Sequence, residues 1–273
     1  MEMRITLSGQ HYRVKLDSPI SLAIPLAFGG AQPSFFGAPR ASAAPLAIGS
    51  FVGDTTQGGG CNVTELRLVP HCNGTHTESV GHIVREAMPI AACLPRTLIP
   101  AGVITVIPCA ADATQDRYTP TKQSDDWLIT RDALEFALRD LESDQIQALA
   151  VRTLPNDESK KNRRYGGACR PPFFSLEAMH TLIDRGIEHV LVDFPSLDKM
   201  HDEGRLTNHH LFWNVPAEGH ALTAETKIFR TVTEMIFVPN EVRDGCYLLD
   251  LQVPAFMSDA APSRPLIYPL EPA

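Results

Sequence analysis

The sequence predicts an α/β fold: a mixed central β-sheet flanked by helices, in one domain over residues 1–273 with an extended N-terminal segment over 1–60. Three observations predict it. Two stretches with helical spacing of apolar residues are each followed by a short apolar run that reads as a buried strand. The chain opens on alternating polar and apolar residues, and two further strand-like runs fill its C-terminal part.

In chain order, residues 1–17 alternate through Arg4, Ile5, Thr6, Leu7 and again through Tyr12, Arg13, Val14, Lys15, which predicts two short strands joined at Ser8-Gly9-Gln10. From 18 to 60 the composition shifts to Pro, Gly and Ala, so extended or looping structure is expected; Ile24, Leu26, Phe28, Phe35, Phe36 and Phe51 give it too much apolar surface to be disordered. A helix capped by Thr130 or Asp132 is expected to run to about residue 142, with Ala133, Leu134, Ala137, Leu138 and Leu141 on its buried side. A second runs from an N-cap at Ser175 to a stop at Gly186, burying Ala178, Met179, Leu182 and Ile183. The strands that follow them are 146–151 and 190–192, with later strands at 227–238 and 246–253. Beyond Ala260 the tail is Pro-rich, and no internal repeat is present.

The bulk properties exclude several classes. Net charge is −8, and Lys160, Lys161, Arg163 and Arg164 are the only basic cluster, which argues against a nucleic-acid partner. The six cysteines are scattered without a Cys-x-x-Cys pair, as in proteins of a reducing compartment, so no structural disulfide is expected. The first twenty residues carry no apolar block of signal-peptide length, and no stretch is long enough to span a bilayer. A cytoplasmic location without a membrane partner is expected.

The chemistry concentrates in residues 71–82, where His71, Cys72, His76, Glu78 and His82 fall within twelve positions. Each can bind a borderline metal ion or move a proton. A lone His or Glu in a polar loop is ordinarily just solvated, but no packing rule asks for five such residues together. His76 and Glu78 are two apart and so point to one side of an extended backbone, while Gly74 allows a turn that folds 71 or 72 back toward them. Three ligands around one ion are thus possible.

Gly74-Thr75-His76, then Glu78, then His82 resembles the signature H-x-G-T-H-x-D-x-P-x-H of the cyclase family of metal-dependent hydrolases, whose best-known members are bacterial kynurenine formamidases. Residues 186–198 (GIEHVLVDFPSLD) are similar to a second block of that family, G, an apolar strand, then D-x-P-S-x-D; the likeness extends over 208–213 and 231–238 and covers most of the chain from about Phe35. There are three departures: the family's first His falls on Cys72, with His71 one position away; its Asp falls on Glu78; and its Pro falls on Val80. A thiolate is a competent zinc ligand, and Glu can replace Asp if the backbone retreats by about a methylene.

The resemblance implies a swivelling β/α/β-like fold and one or two Zn²⁺ or Mn²⁺ ions held by Cys72, His76, Glu78, His209 and Glu234, with His71 the rival of Cys72 and His210 the rival of His209. It implies hydrolysis of an amide-type C–N bond of a small molecule by metal-activated water, as in an arylformamidase, with His82 carrying a proton to the leaving nitrogen. Phe35 and Phe36 fall where the family has an aromatic near its substrate, although a Phe pair also suits a core. Glu234 has the competing reading of an outward-facing strand residue, and Asp193, Ser196 and Asp198 read better as turn chemistry around Pro195. The alternatives are hydrolysis of a cyclic amide or lactone, as in isatin hydrolases, and a non-catalytic metal- or ligand-binding relative. On the resemblance a homodimer or homotetramer is expected.

Overall fold

The structure, a computed structural model, describes residues 1–167 and 169–273. Among these, eleven strands make one sheet: β1 (Glu2–Leu7), β2 (Gln10–Lys15), β3 (Ile20–Ser21), β4 (His76–Glu78), β5 (Leu98–Val106), β6 (Ala148–Thr153), β7 (His189–Val192), β8 (Thr231–Glu234), β9 (Gly245–Asp250), β10 (Ala260–Pro262) and β11 (Leu266–Pro272). Their spatial order is β1-β2-β11-β9-β5-β6-β7-β8-β4-β10, with β3 also paired to β11. The central four, β5 to β8, are parallel. Antiparallel pairs extend the sheet on both sides.

Period-two alternation sorts the central strands between two cores. Ile104, Val106, Leu149, Val151, Val190 and Val192 face the side covered by helices α1 (Arg131–Leu138), α2 (Leu176–Asp184) and α3 (Thr207–Trp213). Ala101, Val103, Ala148, Ala150 and Leu191 face the other side, which is covered by irregular chain carrying Leu22, Ile236, Val238, Val242 and Leu251. The three helices therefore flank one face of the sheet.

The two expected helices start at their caps: Thr130 Oγ1 accepts from the Ala133 N–H at 3.2 Å and Ser175 Oγ from the Ala178 N–H at 3.0 Å. Helix α2 stops as expected before Gly186, which has φ +73°. Helix α1 ends at Leu138, short of the expected 142: the N–H groups of Arg139 and Leu141 bond the carbonyls three residues back, at Phe136 and Leu138, and the Arg185 guanidinium donates to the Leu138 and Leu141 carbonyls at 3.3 and 2.8 Å. Leu141 still drops into the core over Gly102, where a Cβ would stand 2.9 Å from its methyl.

Four other expectations shift. The run expected over 227–238 is a strand only at 231–234: Met235 takes φ +53°, and the N–H groups of Met235 and Ile236 turn to the carbonyls of Phe194 and Val192. The strand expected at 246–253 spans 245–250, and those after α1 and α2 span 148–153 and 189–192. Strand β5 escaped sequence reading because Pro100 and Gly102 interrupt its pattern; Pro100 is tolerated since pairing with β6 begins only at Ala101. The Pro-rich tail is also ordered into the sheet. In β11 Pro269 pairs with Tyr247 alone, at the point where the strand passes from β3 to β2 on its other side.

Segment 18–60 is extended, with a short pairing of Ser42–Pro45 against Thr64–Arg67 and a hairpin of Ala47–Ile48 with Phe51–Val52. Among the described residues no helix is long and apolar enough to cross a membrane, and the six cysteines are free.

Candidate metal centre

Strand β4 lies between β8 and β10, with Glu234 directly opposite His76 and both Val232 and Ala260 opposite Glu78. His76, Glu78 and Glu234 share one face of the sheet. Thr77 points to the other, where its hydroxyl meets Thr233 Oγ1 and Ser263 Oγ, each at 2.8 Å. The entry to β4 turns on Gly74, whose φ of +140° disfavours a side chain, and whose carbonyl accepts from His76 Nδ1 at 2.9 Å. That bond fixes the His76 tautomer, so its Nε2 presents a lone pair to the site.

His209 arrives from α3 and is oriented by Asp198. The Asp198 carboxylate accepts from His209 Nδ1 at 2.5 Å, from the backbone N–H groups of Asn208 and His209, and from the Tyr118 hydroxyl at 2.7 Å. His209 Nε2 then faces Glu78 Oε1 at 3.0 Å and Glu234 Oε1 at 3.6 Å. Asp198 is therefore more than turn chemistry: it is the carboxylate behind a candidate ligand histidine. Glu234 faces inward, accepts from the Leu197 N–H at 3.2 Å and lies 3.4 Å from His76 Nε2. These four residues, His76, Glu78, His209 and Glu234, form an inner set that is almost fully buried.

A second, outer group sits nearer solvent. His71, on a 3₁₀ turn over Pro70–Cys72, and His82, on another over Val80–His82, stack their rings with centroids 4.5 Å apart. His71 Nε2 is 3.3 Å and His82 Nδ1 3.9 Å from Glu78 Oε2. Asp259, delivered by the residue before β10, places Oδ2 3.0 Å from His71 Nε2 and 3.8 Å from His82 Nδ1. His71, Glu78 and His82 have ligand atoms mutually close enough to hold one ion, as do His76, Glu78 and Glu234; Glu78 belongs to both groups.

The electrostatics follow from this packing. For Glu78 burial favours the neutral acid, but His82, His209 and His71 outweigh it and hold the carboxyl well below its ordinary range. For His209 burial opposes charge, and the bonds to Asp198, Glu234 and Glu78 overcome it and raise the ring well above its ordinary value. For His71 burial again opposes protonation, and the Asp259 and Glu78 carboxylates reverse the balance upward.

Several sequence expectations are redistributed. Cys72 lies in neither ligand group; its thiol is pushed up by burial, and the nitrogen facing Glu78 is that of His71. His209 faces the carboxylates, while His210 points elsewhere, lining a cavity of about 480 Å³ with His220, Arg205 and Thr119. None of His71, His76, Glu78, His82, His209, Glu234 and Asp259 lines this cavity; its wall residue His220 donates from Nδ1 to the Ile83 carbonyl at 2.9 Å. Phe35 and Phe36 part company: Phe35 is buried against Tyr165 and Met200, and Phe36 is 64% exposed. Asp259 and Tyr118 were missed; a lone acid in a Ser-Ala-Pro stretch carries no signal of its own. Also missed is Lys160, whose buried ammonium sits 2.6 Å from Asp193 and bonds the Thr153 carbonyl, so the basic cluster is partly structural.

A family model described as "Putative cyclase" matches residues 15–199, and the chain belongs to that cyclase family. The match includes His71 to His82 and Asp198, whereas His209, Glu234 and Asp259 lie beyond it. Among solved structures, isatin hydrolase A from Labrenzia aggregata, bound to benzyl benzoate, is 16% identical over 93% of this chain and 94% of its own, with a TM-score of 0.60. Isatin hydrolase A from Ralstonia solanacearum is 15% identical over 92% and 91%, also with a TM-score of 0.60. A predicted metal-dependent hydrolase from Bacillus stearothermophilus is 16% identical over 92% and 98%, with a TM-score of 0.57. These likenesses establish a shared fold. No curated protein matches the chain.

Proposed function

We infer that this protein is a metal-dependent hydrolase that cleaves an amide-type C–N bond of a small molecule, in the manner of an arylformamidase. The observation that carries this reading is the convergence of His76, Glu78, His209 and Glu234 in a buried cluster at the sheet. The residues fit a metal ion. His71 Nε2 and His76 Nε2 are buried without a hydrogen-bond partner among the described residues, which costs free energy unless a cation takes their lone pairs. A nitrogen and carboxylate donor set suits zinc or manganese.

With an ion held by these residues, bound water would have its pKa lowered toward ~7 and a substrate carbonyl would be polarised. The chain's own residues supply the rest. Glu78 and Glu234 provide the negative charge that balances the ion, and Asp198 keeps His209 turned toward it. His82, with its side chain 28% exposed, stands between the buried carboxylates and solvent, in position to carry a proton to a departing amine.

A second reading, hydrolysis of a cyclic amide, is favoured by the two isatin hydrolases among the similar folds. A homodimer or homotetramer in the cytoplasm completes the reading. The assembly is supported by apolar side chains exposed along one stretch, at Phe36, Ile48, Phe51 and Leu66.

Metal analysis of the purified protein, with turnover measured on a formanilide, an isatin-type cyclic amide and a lactone, tests these readings together. Bound zinc or manganese with formanilide turnover supports the first; cyclic-amide turnover alone selects the second. Stoichiometric metal with no turnover anywhere makes the protein a metal-binding relative, and absence of metal removes all three. Light scattering decides the oligomer.

A further inference from the structure

Asp259 lies outside every motif of the sequence and beyond the family match, yet it faces the candidate centre. Its backbone is fixed by the sheet: the Asp259 carbonyl accepts from the Ser79 N–H at 2.9 Å, and the next residue, Ala260, pairs with Glu78. The position of its carboxylate is thus tied to the strand that carries His76 and Glu78. Its Oδ2 stands 3.0 Å from His71 Nε2, the nitrogen that Glu78 Oε2 approaches at 3.3 Å. Neither contact has hydrogen-bond geometry, and this buried nitrogen has no hydrogen-bond partner among the described residues. Two carboxylate oxygens thus approach one ring nitrogen, which is the donor chemistry of a cation seat, within the cluster where His71, Glu78 and His82 have mutually close ligand atoms.

We propose that Asp259 is a metal donor that, with His71 and Glu78, seats an outer divalent cation of the zinc or manganese class and leaves His82 uncoordinated. The inference rests on the metal-dependent reading above and deepens it. Three protein donors with one open position is the arrangement of catalytic rather than structural sites. It also explains how the centre accommodates Cys72: the histidine moves to 71, and a carboxylate from the C-terminal part of the chain completes the set. His82, 3.8 Å from Asp259 and 3.9 Å from Glu78, then stands beside the open position with its proton chemistry intact.

The test is the number of bound ions. Metal-free wild type, Asp259→Ala, Asp259→Asn and His82→Ala are dialysed against Zn²⁺ and, separately, Mn²⁺, and the bound metal is counted. Thermal melts of the metal-free proteins check folding; Asp259→Asn keeps the side chain's shape and the backbone pairing. Wild type and His82→Ala are expected to hold two equivalents, and both Asp259 variants one. Two equivalents in folded Asp259→Asn, one in wild type, or one in His82→Ala overturns the proposal while leaving the hydrolase reading in place. No bound metal in wild type overturns the reading beneath it.

Discussion

The inner and outer halves of the centre are built differently. The inner residues sit on β4, β8 and α3, each ring or carboxylate held by a backbone or buried partner: Gly74 for His76, Asp198 for His209, the Leu197 N–H for Glu234. The outer residues sit on two 3₁₀ turns and the approach to β10, with side chains 26 to 32% exposed. Preorganised donors hold an ion with little reorganisation, whereas half-exposed groups can exchange protons with solvent and adjust to a ligand. The inner half is thus the more rigid of the two candidate ion sites, and the outer half, which shares Glu78 with it, the more adaptable.

The strongest challenge to this division is Glu78→Gln, because Glu78 serves both halves. Metal content is expected to collapse and kcat/KM to fall by ~10⁴ or more, the loss of several kcal/mol of electrostatic stabilisation; full metal loading in the variant would undo the shared-carboxylate geometry. His82→Ala removes an outer group only, so metal should stay bound while kcat drops by ~10²-fold or more. Unchanged turnover would take His82 out of the mechanism.

Acid tests the sheet beneath the inner half. His189, buried on β7 and bonded to Thr231 Oγ1, is pushed down to about 4 by burial and then by the charge of Arg96. Its folded value lies below the unfolded 6.5, so its contribution is present above pH 6.5 and is lost as pH falls through about 4. At 1.36 kcal/mol per pH unit the full loss is roughly 3 kcal/mol. Chemical denaturation of wild type and His189→Gln across that window should show the variant's stability falling less steeply; parallel curves would count against it. The smallest effect is that of Asp198→Ala, where a ligand loses only its orienting partner. Metal affinity should weaken ~10- to 100-fold, measured by chelator competition, and no change would reduce Asp198 to a helix-entry residue.

What could be read from the sequence divides along similar lines. The caps at Thr130 and Ser175, the N-terminal hairpin and the density of residues 71–82 are local patterns, and local chemistry determines them. His209 and Glu234 were reachable only through family resemblance, because nothing in their own neighbourhoods marks them as partners of Glu78. Asp259 had neither kind of signal. Its role depends on which strand pairs with β4, and register across a sheet is a property of the whole chain. Strand β5 was obscured by its own Pro and Gly, which are acceptable where a neighbouring strand has ended or a Leu side chain needs space.

The position of β4 between β8 and β10 bears on the order of folding. Thr77 bonds Thr233 and Ser263, partners 156 and 186 residues away along the chain. Contacts of such separation carry a high loop-closure cost and tend to form late. The five-residue cluster is therefore expected to gain its ligand geometry only when distant strands dock on either side. Metal uptake during refolding should accordingly lag behind the formation of the parallel core, making the ion a reporter of the last strands to join the sheet.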